Sequence, residues 1–170
     1  MRVDNNFYIN SAEALAPALV GKLICLRGED GEVKRMRIIE TECYLGESDT
    51  ACHASKGKTP RNSALWLAGG HSYVYLCYGM HALLNLTTGV EGHPEAVLIR
   101  GVAEISGPGR VTRAMQIDLS LNKMPLVPES GLWVEDDGVV PDFITTPRIG
   151  IDYASDECRL IPWRFVDKSA

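Results

Sequence analysis

The feature that most limits what this chain can fold into is a tight turn between two apolar runs. Gly28-Glu29-Asp30-Gly31 separates residues 22–27 from residues 33–45. Glycine and aspartate between two such runs are the local signature of a β-hairpin. We therefore predict a short strand over 22–27 that pairs antiparallel with a long return strand over 33–45.

The remaining patterns predict helices and further strands. Asn10-Ser11-Ala12-Glu13 is typical of a helix start, and the helix should run to Leu19. We predict an α+β fold: a single domain over residues 1–170, with a curved, largely antiparallel sheet and flanking helices. The other predicted elements are strands over 72–78, 82–88 and 96–105, a helix from Gly107 to about Asp118, and short strands near Trp133, Ile149 and Phe165.

Composition excludes several classes of protein. The chain has 170 residues, of which 45% are apolar and 23% are charged, so it is neither disordered nor fibrous. No apolar run approaches the roughly 18 residues of a membrane span, and Asp4 and Glu13 interrupt any signal-peptide core. The five cysteines are odd in number and far apart, which indicates reduced, mostly buried thiols. We expect a cytoplasmic protein that is not secreted and has no membrane partner.

The charge is unevenly distributed along the chain. The net charge is −5, yet residues 1–113 hold 12 basic and 12 acidic side chains, and residues 114–170 hold 5 and 10. A local basic face is therefore compatible with an acidic protein, and scattered surface charges are the alternative. Within the neutral part, the basic residues that could form such a face are Lys34, Arg35, Arg37, Lys56, Lys58 and Arg61, which come close together in sequence, followed by Arg100, Arg110 and Arg113.

The predicted return strand combines two carboxylates with an aromatic ring. Strand alternation puts Glu40, Glu42 and Tyr44 on one face. Two carboxylates separated by one residue raise each other's proton affinity where water is excluded, and the ring offers a stacking surface. Ile38 and Ile39 favour burial of this strand, while an edge strand with solvated charges stays open as the alternative.

A second aromatic cluster surrounds a predicted turn. Alternation places Tyr73 and Tyr75 on one face of a strand, and Tyr78 follows at the turn beside Gly79. A tyrosine at a hairpin tip is suited to wedge into a nucleic-acid stack, although packing against a neighbouring loop stays open.

Cysteine and histidine patterns do not predict a metal site. Cys43, Cys52 and His53 lack the paired, closely spaced ligands of zinc sites, and no glycine-rich phosphate loop occurs. His53 is interpreted as a binding-loop or packing residue. We predict no metal and no cofactor.

Several separated motifs together resemble the alkyladenine (3-methyladenine) DNA glycosylase family. The resemblance covers residues 10 to 166, nearly the whole chain, in the family's order. Its motifs are residues 37–46, His53, Thr59-Pro60-Arg61-Asn62, residues 73–80 with Asn85, Gly107-Pro108-Gly109-Arg110, Arg148-Ile149-Gly150 and residues 162–165.

The resemblance implies a role for each matching residue in catalysis and base binding. It implies that Glu42 activates water for attack on the sugar C1′, and that Arg100 and the backbone carbonyl of Ile149 position this water. The residues that it implies for base binding are Tyr44 on one face of an extruded base, His53 and Tyr75 on the other, and Asn85 against the exocyclic amine of guanine.

The resemblance also implies the contacts to DNA. Tyr78, at the tip of a protruding hairpin, would fill the gap that the extruded base leaves in the duplex. The residues implied to contact the DNA backbone are Lys58, Thr59, Arg61 and Arg110. The expected partner is double-stranded DNA that contains damaged purines. We expect the protein to bind it as a monomer and, if the source is a bacterium, to be associated with the nucleoid.

Elementary chemistry agrees with the activity that the resemblance implies. Cleavage of an N-glycosidic bond passes through an oxocarbenium-like sugar, which one carboxylate can stabilise while it takes the proton of water. A base inside a duplex must first be extruded into a pocket with aromatic walls. The expectation is a monofunctional enzyme for 3-methyladenine, hypoxanthine and ethenoadenine. Two alternatives stay open, a non-catalytic nucleic-acid-binding module and a nucleoside hydrolase that uses Glu40 and Glu42.

Overall fold

The predicted hairpin forms the core of the sheet. The computed structural model describes residues 1–170, and in it strands β1 (Leu23–Arg27) and β2 (Val33–Leu45) pair antiparallel. The turn between them is closed by the N–H of Gly31, which donates to the Gly28 carbonyl at 3.0 Å. The predicted bounds of β2 are confirmed.

All strand pairings are antiparallel, and the sheet has the order β3-β4-β5-β2-β1-β7. Strand β6 pairs with β5, and β9 joins β2 to β8. This arrangement confirms the predicted α+β fold with a largely antiparallel sheet. The bounds are β3 Ser72–Cys77, β4 His81–Thr88, β5 Glu95–Val102, β6 Ile105–Ser106, β7 Leu132–Glu135, β8 Phe143–Thr146 and β9 Arg164–Asp167.

Strand β2 is an internal strand where it carries its two carboxylates. Its first residues, Val33–Arg37, pair with β1, and its second half pairs with β5. Residues Glu40–Glu42 also pair with β9 on the opposite side. The alternative of an edge strand with solvated charges is therefore wrong, because both edges of the carboxylate segment are covered.

A β-bulge interrupts the pairing of β2 with β5. The register shifts on both sides of Glu40, so that Ile39 and Arg100 have no directly opposed partner. Gly101 lies opposite Glu40, and a Cβ atom there would come within 3.2 Å of the Glu40 Cβ. Bulges re-aim side chains, and this one directs Arg100 towards the carboxylates of β2.

The two longer helices pack on the sheet through the main hydrophobic core. Helix α1 (Ala12–Leu19) begins after Ser11, whose hydroxyl caps the Ala14 N–H as predicted. The Ala12 N–H donates to the buried Glu95 carboxylate at 2.9 Å, which ties the start of α1 to β5. No helix has the length and apolarity that crossing a membrane demands. The other helices are α2 Pro108–Met115, α3 Asp156–Arg159 and the 3₁₀ turns Asn5–Ile9, His53–Lys56, Ser63–Trp66, Leu119–Leu121 and Pro128–Ser130.

Three predicted elements differ from the structure by more than one residue. The strand predicted over 96–105 ends at Val102, because Glu104 adopts a left-handed backbone (φ 69°) and the chain turns into β6. The helix predicted to Asp118 ends at Met115, where Gln116 is left-handed (φ 60°). Ile149 is not in a strand, since β8 ends at Thr146 and Pro147 follows, and proline lacks the N–H that a ladder needs.

Candidate functional site

A buried carboxylate forms the centre of the candidate site. Glu42 lies near the end of β2 and is completely buried. One of its oxygens accepts a hydrogen bond from the Tyr44 hydroxyl at 2.8 Å, and the other accepts one from the Ile149 N–H at 2.7 Å. Burial raises the pKa of Glu42, while the Arg100 charge and the two donors oppose this rise. The carboxylate is thus held in one orientation with an increased affinity for a proton.

Arginine side chains separate the two carboxylates of β2. The Arg100 Nε atom donates to Glu40 at 3.3 Å, and its Nη1 atom lies 3.7 Å from Glu42. Glu40 is also bound by Arg164 of β9. Two positive charges therefore face two negative ones. The expectation that the carboxylates raise each other's proton affinity is wrong for Glu42, because the cause of its raised pKa is burial.

Aromatic rings stand beside this carboxylate. The rings of Tyr73 and Tyr75 lie 5.2 Å apart on one face of β3, as alternation predicted. His53 packs edge-on against Tyr75 at 4.4 Å, and its Nδ1 atom lies 2.9 Å from the Tyr73 hydroxyl. Burial, together with the Arg61 charge, lowers the pKa of His53, which favours the neutral imidazole.

The rings line a small, partly open cavity. Its volume is about 30 Å³, which is room for about one water molecule and not for a purine. Asn85 of β4 is buried in its wall and donates a hydrogen bond from Nδ2 to the Tyr73 carbonyl at 3.3 Å. The cavity is lined by Tyr44, Ala51, Cys52, His53, Leu65, Tyr73, Tyr75, Asn85, Ala96 and Tyr153.

Two grooves open beside this cavity. One groove, of about 500 Å³, runs to the β3–β4 hairpin, and Tyr44, His53, Tyr75, Tyr78, Arg100 and Ile149 are among its walls. The other, of about 370 Å³, lies on the side of His53 that carries Lys56 and Arg61. The residues predicted for base binding, together with Arg100 and Ile149, therefore line adjoining concave surfaces, and Glu42 lies buried behind Tyr44 and Ile149.

Tyr78 stands at the tip of the β3–β4 hairpin. Its side chain is 94% exposed, and the turn is closed by the Met80 N–H, which donates to the Cys77 carbonyl at 3.1 Å. Both central residues, Tyr78 and Gly79, have left-handed backbones with φ of 52° and 67°. No loop covers the ring, so the alternative that Tyr78 packs against a neighbouring loop is wrong.

The basic residues divide into two groups. Arg35 and Arg37 at the start of β2 are bound by Glu135 and Asp137, so the acidic C-terminal third neutralises them. Arg61 borders the site, where it donates to the Leu76 carbonyl and lies 5.8 Å from the Tyr75 ring centre. The predicted basic face therefore contains fewer basic residues than the sequence indicated, because Arg35 and Arg37 are paired with acidic residues.

The other residues predicted to contact the DNA backbone lie around the same surface. Lys58 is exposed and its Nζ atom lies 5.8 Å above the Trp66 ring. Thr59 exchanges hydrogen bonds with Asn62, which gives its hydroxyl a role in shaping the loop. Arg110 is exposed in the first turn of α2, whose Gly109 approaches the His81 side chain of β4 so closely that a Cβ atom would lie 3.1 Å from it.

A buried ion pair supports the site from behind, and the sequence did not predict it. Arg148 and Asp49 are at most 1% exposed and are joined by two hydrogen bonds of 2.6 and 2.9 Å. The Arg148 guanidinium also lies between the Tyr44 and Trp163 rings, 4.9 and 5.0 Å from their centres. It thus fixes the ring that holds Glu42, next in sequence to Ile149.

The thiols and the metal-ligand types are dispersed. All five cysteines are free, and four of them are buried, as predicted. No three histidine, cysteine, aspartate or glutamate side chains converge as a metal ion would require.

Comparison with known proteins identifies extensive similarity. A sequence model of the family described as methylpurine-DNA glycosylase matches residues 6–106 and 103–170. A protein of Psychrobacter cryohalolentis is 44% identical, over 84% of this chain and 81% of its own length. Proteins of Methanocella arvoryzae and Borreliella burgdorferi are 41% and 39% identical, over 97% and 98% of this chain and 92% and 96% of their own lengths. All three carry the provisional name 3-methyladenine DNA glycosylase.

Proposed function

This chain belongs to the methylpurine-DNA glycosylase family and is a hydrolase of the DNA-3-methyladenine glycosylase type, and we propose that Glu42 supplies its general base. The enzyme extrudes an alkylated or deaminated purine from duplex DNA, and water activated by Glu42 cleaves the N-glycosidic bond. An abasic site remains. The observation that carries this proposal is a fully buried carboxylate, oriented by Tyr44 and Ile149, beside an aromatic cavity.

Glu42 meets two demands of the reaction. As the bond to the base breaks, positive charge develops on the sugar, and a nearby carboxylate stabilises that charge more strongly where water is excluded. The same carboxylate accepts the proton of the attacking water, for which a raised pKa is useful near neutral pH. Arg100, 3.7 Å away, keeps the group ionised and helps to position the water, together with the Ile149 backbone.

The aromatic residues bind the extruded base. Tyr44 stacks on one face, and His53 with Tyr75 stacks on the other. Cationic bases such as 3-methyladenine are attracted to electron-rich rings, and their positive charge makes them good leaving groups. Neutral bases such as hypoxanthine or ethenoadenine need protonation to leave. The cavity is too small for a purine, so the rings separate when the base enters.

The remaining residues select and hold the DNA. Tyr78 fills the gap in the duplex, because an exposed ring at a hairpin tip can replace the lost stacking partner. Asn85 lies where it can exclude the exocyclic amine of guanine. The DNA backbone is bound by Lys58, Thr59, Arg61 and Arg110, of which Arg61 lines the groove at the hairpin and Thr59 the neighbouring groove.

The enzyme acts without forming a Schiff base. No lysine is among the residues that line the cavity or the groove leading to the hairpin, so a lyase step has no amine nucleophile there. Residues 1–170 act as one glycosylase domain and as a monomer on DNA, in the compartment that holds the chromosome.

Substitution of the two β2 carboxylates tests the proposal. Glu42→Gln keeps the shape of the side chain and removes the base, so single-turnover release of 3-methyladenine should fall by about 10²–10⁴. Glu40→Gln is the matched control, since Glu40 is bound by Arg100 and Arg164, whereas the Tyr44 hydroxyl and the Ile149 N–H bind Glu42. Alkali-labile abasic sites in a lesion-containing duplex report the reaction.

The outcomes separate the alternatives. A wild-type protein that binds the lesion duplex without releasing base would be a binding module. Release only from free nucleosides would indicate a nucleoside hydrolase. A full rate in Glu42→Gln with a large loss in Glu40→Gln would transfer the role of general base to Glu40.

A further inference from the structure

Tyr153 is an aromatic residue of the site that motif and pattern did not identify. It lies in the turn after Ile149, whose N–H binds Glu42. Its side chain lines the small cavity and both of the grooves beside it. It therefore stands where the three concave surfaces meet, at the mouth of the cavity.

The ring of Tyr153 is both exposed and anchored. It is 67% exposed, although its hydroxyl donates a hydrogen bond to the Ala51 carbonyl at 2.7 Å. Ala51 is buried and lies two residues before His53. Nearby Ile151 and Ala154 pack in a small buried cluster with Ala51 and Cys158, which fixes the turn. An exposed aromatic ring held at both ends offers a preorganised contact surface, because it loses little conformational entropy when a ligand covers it.

We propose that Tyr153 forms a further aromatic wall of the base site, where its exposed ring packs against the extruded nucleobase at the mouth of the cavity. This inference rests on the proposed function, because it assumes that a base enters between Tyr44 and Tyr75. The hydroxyl has a secondary role, which is to join the loop that carries His53 to the segment that carries Ile149.

A ring with this exposure contributes little to folding. Two thirds of Tyr153 is already exposed to solvent. Truncation of its side chain therefore removes little buried apolar surface from the folded protein. A loss of lesion affinity after such a substitution would therefore reflect a missing contact with the ligand, and a thermal unfolding curve of each variant verifies this.

The test measures binding of two duplexes that differ only in the presence of a base. One carries 3-deaza-3-methyladenine, whose glycosidic bond is stable, and the other carries a tetrahydrofuran abasic analogue. Stacking of a base on an aromatic side chain corresponds to about a 5- to 150-fold change in affinity, so Tyr153→Leu should weaken binding of the first duplex by that factor. Binding of the abasic duplex should change by no more than about twofold.

Two further variants complete the design. Tyr153→Phe keeps the ring and removes the bond to Ala51, and it should retain lesion affinity within about twofold of wild type. Leu160→Ala is the control for an exposed apolar side chain of the same segment, since Leu160 is 64% exposed and lines none of the three surfaces.

Each result is decisive. Unchanged lesion affinity in Tyr153→Leu, with a wild type that prefers the lesion duplex, would overturn the inference and leave the proposed function intact. Equal losses in the Phe and Leu variants would assign Tyr153 only the role of joining the two segments. A wild type that does not distinguish the duplexes would overturn the base pocket itself, and with it this inference.

Discussion

Replacement of Asp49 by asparagine should be among the most destabilising single changes in this protein. The Asp49 side chain is 1% exposed. All of its hydrogen-bond partners are donors, namely two Arg148 nitrogens and the N–H groups of Leu45 and Ala51. In Asp49→Asn the amide nitrogen must face donors on one side, and Arg148 loses its counter-charge. Both effects act in a place that water does not reach.

The magnitude follows from this burial. Removal of one partner of a buried ion pair costs about 3–5 kcal/mol, because the other charge stays in the interior without compensation. In a chain of this length each kcal/mol lowers the melting temperature by about 2–4 °C, so the expected decrease is about 6–20 °C. The attraction of the Arg148 guanidinium to the Tyr44 and Trp163 rings compensates only a fraction of that loss.

Equilibrium unfolding in urea, followed by circular dichroism, measures the effect. The double variant Asp49→Asn/Arg148→Met removes the uncompensated charge as well, and it should be less destabilised than the sum of the two single variants. An Asp49→Asn protein within about 1 kcal/mol of wild type, or a double variant with additive losses, would refute the reasoning.

Three more predictions concern the proposed reaction. Tyr78→Ser should weaken binding of a lesion in a duplex by the equivalent of about 1–3 kcal/mol and leave a lesion in a single strand nearly unaffected; equal losses would contradict a wedge. Asn85→Ala should increase release of alkylguanine relative to hypoxanthine, and an unchanged ratio in a folded variant would exclude Asn85 from base selection. Burial raises the pKa of Glu42 and the Arg100 charge lowers it, so in Arg100→Gln the pKa rises and the acid limb of the single-turnover pH–rate profile should move to higher pH. A limb that does not move would show that Arg100 does not control ionisation of Glu42.

Local patterns were sufficient for the centre of the sheet. The β1–β2 hairpin was predicted because a turn and two apolar runs act over a few residues, and alternation along β2 correctly grouped Glu40, Glu42 and Tyr44. The strand predicted near Ile149 was wrong because the local pattern there was misleading. A short apolar segment resembles a strand, but Pro147 and the left-handed Gly150 hold it in a turn, where its N–H is free to bind Glu42.

The parts of the site that sequence did not predict depend on distant contacts. Arg148 and Asp49 are 99 residues apart, so no local pattern links them. Tyr153 is likewise 102 residues from the carbonyl that anchors it, in a segment with no periodicity. The β-bulge at Glu40 is a property of two paired strands, and it directs Arg100 between the carboxylates. Only the folded sheet brings these groups together.

The turn at Tyr78 has a consequence for how quickly and how selectively the protein could search DNA. A non-glycine residue in the left-handed region costs roughly 1–2 kcal/mol, and this cost is met once, during folding. The hairpin therefore carries its ring outward before any duplex arrives, with only two side-chain torsions left to settle. In the proposed wedge role, a ring preorganised in this way would enter the duplex most readily at base steps whose stacking is already weak.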